Sequence, residues 1–245
     1  MDASLKKVGI TGASGNIGST LQKGLCDTYG LSLYDLKEAS PLSGCRFTKV
    51  DFARKEELDG IFDGLDALIH LAGNPHPDAP RQATYRNNFA ATSYVFEEAR
   101  RAKVKKIVYA SSNFYHEAAI SKVIQGSSKS RITLDMPPSP LSLYGESKVF
   151  GENLGRHLSY LGIQFVALRI GWTIPQDDPT LYDSEYMRAV FCSKRDLVQA
   201  FDKALRLETT FQAAFVTSDN TANVFDLNET KRKLDFHPQD NAENY

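Results

Sequence analysis

VGITGASGNIG, residues 8–18, runs from an apolar strand-like segment into a helical one through a turn with glycine at 12, 15 and 18. The spacing has a physical logic. Gly12 permits the tight turn out of the strand, Gly15 lets backbone approach a pyrophosphate, and Gly18 lets helix and strand pack closely. The following helix offers its free N–H groups and positive dipole end to the same point. A glycine triplet alone says little. Placed at the first strand–helix junction, it predicts a dinucleotide-binding α/β fold.

The rest of the chain continues the alternation. Strand-length apolar runs occur at LSLYD (31–35), RFTKVD (46–51), ALIHLAG (67–73), KIVYASS (106–112) and QFVALRIG (164–171). Helical stretches are expected at ARKEELDGIF (53–62), around 82–103, and from about Tyr144 to Leu161. Strand, helix, strand in repeating order implies parallel pairing, because parallel neighbours need a crossover. Continuous rather than alternating apolar runs imply helices on both faces of the sheet. Residues 1–171 therefore read as a Rossmann-type doubly wound parallel sheet. Residues 172–245 are less regular, with a loop and short helix over 172–190, a helical period over 196–206, a strand at QAAFVTS (212–218) and a closing helix within 228–236. They are expected to form a small C-terminal substrate-capping region of the same compact domain. The polar connection between Ser112 and Tyr144, containing GSSKSR (126–131), has a length typical of functional or mobile segments.

Composition excludes several function classes. Lys plus Arg number 29 against 30 Asp plus Glu, so no basic excess points to nucleic acid or an anionic membrane. Cys26, Cys45 and Cys192 lie far apart, which argues against a disulfide framework and a zinc site and suits a reducing compartment. No apolar stretch approaches the ~20 residues of a membrane span, and a cytoplasmic location is expected.

Two further features point to chemistry. Asp35 closes LSLYD about twenty residues beyond the glycine turn, where a carboxylate accepts hydrogen bonds from an adenosine ribose and repels a 2′-phosphate. That favours NAD over NADP, although Lys37 stands two positions on. Asp51 reads equally as an adenine-edge contact or a helix N-cap. YGESK places Tyr144 and Lys148 four residues apart, on one face of a helix. A phenol is a poor base near neutral pH, but a neighbouring ammonium and a cationic nicotinamide both favour the phenolate. The pair is suited to taking a proton from a substrate hydroxyl. Ser112, at the carboxyl end of KIVYASS, stands where open parallel sheets bind ligands, flanked by Ser111 and Asn113.

TGASGNIG, HLAG (70–73), ASSN (110–113) and LYGESKVFGENL (143–154) make the sequence resemble the extended short-chain dehydrogenases over nearly the whole chain. Within them it is similar to the uronate dehydrogenases and a related archaeal glucose-6-phosphate dehydrogenase. The shared words are LAGNPHPDAP (71–80), RNN (86–88), ASSN, SLYGESK, LRIG (168–171), SDN (218–220) and PQDNAE (238–243).

The resemblance implies oxidation of a cyclic sugar at its anomeric hydroxyl, giving a lactone and NADH. Tyr144 would be the base, Lys148 would lower its pKa and hold the nicotinamide ribose, and Ser112 would orient the C1 oxygen. NAD would be met by Gly12, Ser14, Gly15, Asn16, Ile17, Gly18, Asp35, Asp51, Phe52, Leu71, Ala72, Gly73, Asn88, Ser111 and Ile170, with Tyr144 and Lys148. Asn74, His76, Ser112 and Asn113 are expected on the sugar, and Arg188, Lys194 and Arg195 on its carboxylate or phosphate, since an anion needs a fork or cluster of cations. No metal is expected. A homodimer through the helices at 82–103 and 144–161, or a higher homo-oligomer, is implied by analogy.

The sequence also departs from this subgroup. Phe114 follows ASSN where histidine is usual, Trp172 follows LRIG where the uronate enzymes carry serine, and the carboxylate-pairing arginine has no clean counterpart. The expected substrate is an anionic aldose, glucose 6-phosphate or a hexuronate. A nucleotide-sugar epimerase or dehydratase and a non-catalytic NAD-binding regulator are the alternatives.

Overall fold

Two-sided burial decides where the strands lie. In β1 (Lys7–Thr11) every residue after the first is buried, so neither face meets water. The computed structural model describes residues 6–37 and 44–245. From β1 the chain turns into α1 (Asn16–Leu25), β2 (Gly30–Asp35), β3 (Arg46–Lys49) and β4 (Ala67–His70). One helical run then joins α2 (Arg81–Thr84), a π-helical segment Tyr85–Ala90 and α3 (Ala91–Arg101), ahead of β5 (Lys106–Ser112). A 3-10 turn Asn113–His116 and α4 (Glu117–Ile124) precede α5 (Leu143–Tyr160) and β6 (Gln164–Ile170). α6 (Glu185–Val190), α7 (Lys194–Arg206), β7 (Phe211–Val216) and α8 (Asn228–Leu234) follow.

The seven strands form one parallel sheet in the order β3-β2-β1-β4-β5-β6-β7. Winding reverses between β1 and β4, which opens a crevice at their carboxyl ends where ligands of such sheets bind. Strand residues alternate between two cores. Val8, Ile10, Val108, Val166 and Leu168 pack under Leu21 and Leu25 of α1 and Leu197 and Phe201 of α7. Ile107, Tyr109, Phe165 and Ala167 pack with Val95 and Phe96 of α3 and Leu158 of α5. On α5, a Cβ at Gly151 or Gly155 would fall within 2.3 Å of Tyr109 or 2.1 Å of Phe165, so these glycines let the helix lie directly on the sheet.

Residues 172–245 supply β7 and α7 to this frame and also a smaller cluster of Ile174, Met187, Phe191 and Ala242, on which Trp172 packs. One expectation is corrected. ARKEELDGIF holds only a 3-10 turn, Lys55–Glu57, because Gly60 takes φ +77° and its N–H is captured by Glu98. The polar connection after Ser112 contains α4, whose Ile120 is fully buried. Among the described residues no helix is long and apolar enough to cross a membrane, and no group of His, Cys, Asp and Glu is placed to hold a metal.

Candidate active site

Gly12 takes φ +70°, and a Cβ there would lie 2.8 Å from the Ala72 nitrogen, so the turn closes directly against the end of β4. Gly15 is the N-cap of α1 and contributes no side-chain cap, which leaves the first-turn N–H groups to an anion. At Gly18 a Cβ would meet the Gly12 carbonyl at 2.4 Å, the tight helix–strand packing expected there. Asp35 faces this turn, its Oδ2 accepting from the Ser14 N–H at 2.8 Å and its Oδ1 from the Lys37 N–H at 2.9 Å. Asn16 donates to Thr173 Oγ1 at 3.2 Å, tying the turn to the segment after β6. Uncapped α1, the Gly12–Ala72 contact and Asp35 at the mouth together fit a dinucleotide.

Asp51 caps a turn and also pairs with a cation. Its Oδ1 accepts from the Ala53 N–H at 3.0 Å, a turn cap, and its Oδ2 pairs with Arg86 at 2.5 Å. Ile17 and Leu71 pack partly buried on the first core, whereas Phe52 and Ile170 are buried core residues. Asn88 lies in the π-helical segment and is buried. Its Oδ1 accepts from the Asn74 N–H at 2.8 Å, and its Nδ2 donates to Asn74 O at 3.0 Å and Ser147 Oγ at 3.2 Å. It thereby clips the loop after β4, beside Gly73, to α5. Beneath that loop His70 bonds Thr11 Oγ1 at 2.8 Å and Thr92 Oγ1 at 3.2 Å, and Thr11 Oγ1 accepts from the N–H groups of Leu71 and Ala72.

Tyr144, Ser112 and Lys148 converge at the carboxyl end of β5. Ser142 caps α5 by accepting from the Gly145 N–H, and Glu117 of α4 accepts from the Leu141 and Ser142 N–H groups, fixing where the helix begins. A Cβ at Gly145 would sit 2.8 Å from the Phe114 carbonyl, so this glycine lets the first turn of α5 seat against the segment after Ser112. Burial pushes the Tyr144 phenol above its ordinary pKa, while a hydrogen bond with Ser112 opposes the shift. Lys148 is buried, donates to Ala110 O at 2.9 Å and stands 5.3 Å from the Tyr144 ring centre. Desolvation lowers its pKa to about 8, so the ammonium loses its proton far more readily than a surface lysine.

Behind this trio, Glu152 lies one turn beyond Lys148 on α5. It accepts from Ser111 Oγ at 2.6 Å and pairs with Arg169 of β6. On the open side, Asn113 accepts from Ser112 Oγ at 3.0 Å and donates to the Tyr186 hydroxyl at 2.6 Å. Phe114 packs edge-on against Tyr144, and Trp172 lies 5.1 Å from Tyr182 and 6.1 Å from Tyr186 between ring centres. His76 is exposed, its N–H held by Asn74 Oδ1. The cations expected to meet an anion are engaged differently. Lys194 Nζ donates to Pro175 O at 2.5 Å, Arg195 is doubly bonded to Asp240 of the PQDNAE word, and Arg188 faces Asp183 at 3.7 Å.

Gly145, Ser147, Glu152, Arg169 and Tyr186 complete the arrangement without having stood out in the sequence. Only Gly145, next to Tyr144 inside a helical period, carries a local signal, because a glycine there costs helix stability and needs a packing reason.

Residues 8–174 match the NAD dependent epimerase/dehydratase family. L-arabinose 1-dehydrogenase (NAD(P)+) of Haloferax volcanii is 30% identical, over 97% of this chain and 98% of that protein. NAD-dependent glucose-6-phosphate dehydrogenase of Haloferax volcanii is 29% identical, over 95% and 93%. Among solved structures, a tyrosine-to-alanine variant of uronate dehydrogenase from Agrobacterium tumefaciens, complexed with NAD, superposes with a TM-score of 0.84 at 26% identity, covering 98% of this chain and 87% of that one.

Proposed function

The chain belongs to the NAD dependent epimerase/dehydratase family, and from that premise we propose that it oxidises the anomeric C1 hydroxyl of an aldose, giving the lactone, NADH and a proton. Its cofactor is NAD, which when bound accepts the hydride leaving C1. The observation that carries the reading is the convergence of Tyr144, Ser112 and Lys148 at one strand end, beside the crevice bounded by the glycine turn.

Each residue has a definite task. Tyr144 takes the C1 hydroxyl proton as its phenolate. Lys148, held on Ala110 O, supplies the positive charge that favours this phenolate, and its remaining donors would hold the nicotinamide ribose. Ser112 steadies the C1 oxygen, and Asn113 beside it meets a ring hydroxyl. The α1 N-terminus and the Gly12–Gly18 turn hold the pyrophosphate, while Asp35 holds the adenosine ribose.

Glucose 6-phosphate and hexuronates are the anionic members of this substrate class, and Arg188 is the cation that such a sugar would have to draw from Asp183. The reading is tested by following NADH at 340 nm with a panel of aldoses, NADP in parallel, and identifying the product by NMR. Lactone formed in step with NADH is the expected result. A product altered at C4 or C6, with no NADH released, would instead mark an epimerase or dehydratase.

A further inference from the structure

We propose that the sugar this site takes is an uncharged aldopyranose, laid against Trp172 and read through Asn113 and Tyr186. The inference rests on the C1 reading above and settles the charge that reading leaves open.

Contacts run unbroken away from the reacting end. Tyr144 meets Ser112, Ser112 donates to Asn113, Asn113 donates to Tyr186, and Tyr186 packs with Trp172. The wall leading away from the reacting end is thus amide, phenol and indole. Apolar and aromatic linings with a few placed polar groups suit a neutral ring, whose C–H faces lie on the indole and whose hydroxyls meet the amide and phenol.

Trp172 is also held rigidly. Its N–H donates to Val190 O at 2.8 Å, and its carbonyl accepts from the Cys192 N–H at 3.0 Å. A Cβ at Gly171 would lie 1.9 Å from Val190 O, so backbone meets backbone at this point. The indole then packs on Ile174, Met187, Phe191 and Ala242, and the last belongs to the PQDNAE word. That C-terminal word, which the proposed chemistry leaves unused, braces the wall. Ala242 N–H donates to Asn220 Oδ1 at 3.0 Å, and the Asp240 N–H to buried Asp196 at 3.1 Å.

An anion would meet the opposite of what it needs here. Lys194 and Arg195 are committed to Pro175 O and Asp240, and Arg188 alone is loosely held, facing Asp183 at 3.7 Å. Burial pushes the Tyr186 phenol up, and the Glu117 carboxylate adds to that rise. Glu117 is itself fixed by bonds to Leu141, Ser142 and the Ser142 hydroxyl, so it cannot swing away freely. A carboxylate or phosphate set at this end would face the Glu117 charge, and of the three expected cations only Arg188, 3.7 Å from exposed Asp183, could turn towards it.

Trp172 is the chain's single tryptophan, so its fluorescence reports directly on this wall. The experiment uses the Tyr144→Phe protein saturated with NAD, titrated with L-arabinose, D-galactose, D-galacturonate and D-glucose 6-phosphate. A saturable change with the two neutral sugars only is expected. Wild-type kinetics decide the point independently of the variant. kcat/KM for the neutral sugars should exceed that for the anionic ones by roughly a hundredfold, the discrimination expected of an unpaired buried charge. Trp172→Ala should raise KM for the neutral sugars by about tenfold, with kcat changed less. Preferred turnover of galacturonate or glucose 6-phosphate would overturn this inference and leave C1 oxidation standing. NADH from none of the four would overturn the C1 reading itself.

Discussion

Arg169 of β6 and Glu152 of α5 form a two-bonded ion pair at 2.9 and 3.0 Å, with side chains only 3% and 2% exposed. The pair reaches further on both sides. Glu152 holds Ser111, the neighbour of Ser112, and Arg169 meets His116 Nε2 at 2.9 Å and stacks on Tyr115. It therefore sets α5, with Tyr144 and Lys148, against the strand that ends in Ser112. Arg169→Met should strand a buried carboxylate and cost about 3–5 kcal/mol of stability in urea unfolding. Glu152→Leu added to it should recover most of that loss, since two well-packed apolar groups replace a pair whose desolvation was expensive. A single variant as stable as wild type would show that the pair does not hold the helix.

Tyr144→Phe should lower kcat by about 10²–10⁴-fold, as expected for removal of a general base, while the dissociation constant for NAD changes little. The pH profile adds a sharper test. Burial raises the Tyr144 phenol, so the phenolate fraction grows through neutral pH, and log kcat/KM for oxidation should rise with a slope of about one. Lys148 loses its proton near a pKa of about 8. Above that the charge favouring the phenolate disappears, and the rise should bend over. Lys148→Met should abolish the bend and depress the whole profile. A wild-type profile flat from pH 6 to 9 would remove Tyr144 as the base.

Gly145 separates seating of the helix from stability of the fold. A Cβ there meets the Phe114 carbonyl at 2.8 Å and Pro140 Cβ at 2.8 Å, so Gly145→Val must lift the first turn of α5. Displacement by about 1 Å of a reacting group costs on the order of a hundredfold in rate. kcat should fall by that order with a much smaller change in thermal midpoint. Equal loss of both would mean that the glycine serves packing alone.

Asp35 should govern cofactor choice. Asp35→Ser removes the acceptor facing the glycine turn and the charge that repels a 2′-phosphate. The ratio of kcat/KM for NAD to that for NADP should fall by at least about tenfold, an electrostatic change of roughly 1.4 kcal/mol. An unchanged ratio would assign discrimination to another group, with Lys37 next in line.

The sheet was legible because its strands are buried on both faces and so read as apolar runs, and because Gly12, Gly15 and Gly18 are demanded by local geometry. Tyr144, Lys148 and Ser112 were legible for a related reason, as helix periodicity and strand ends place them without long-range knowledge. The wall was not. Asn113 stood out beside Ser112, but Tyr186 meets it only because segments 73 residues apart fold together, and no period links Tyr186 to Trp172. Cations show the same limit from the other side. Arg195 looks free in MRAVFCSKRD, yet its partner Asp240 lies 45 residues away. Even the helix expected at ARKEELDGIF failed on a long-range bond, that of Glu98 to the Gly60 N–H.

Two buried histidines make stability depend on acid. His70 sits between Thr11 and Thr92, and His116 beside Arg169, and desolvation lowers each from 6.5 to about 3. The folded chain thus keeps both neutral where the unfolded chain protonates them. Between about pH 6.5 and pH 3 the unfolded state binds more protons, so stability falls as pH drops across that window and each group contributes a slope of about 1.4 kcal/mol per unit. Above pH 6.5 both states carry neutral imidazoles, and this dependence vanishes. At pH 5 the two together should cost about 4 kcal/mol relative to pH 7. Urea unfolding from pH 7 to pH 4 should show the loss, and His116→Gln should reduce its slope by about one proton. Burial and then the Arg169 charge disfavour the His116 imidazolium, and the glutamine amide can still accept from that guanidinium. If the slope persists unchanged in a His70→Asn, His116→Gln double variant, the acid sensitivity belongs to carboxylates instead.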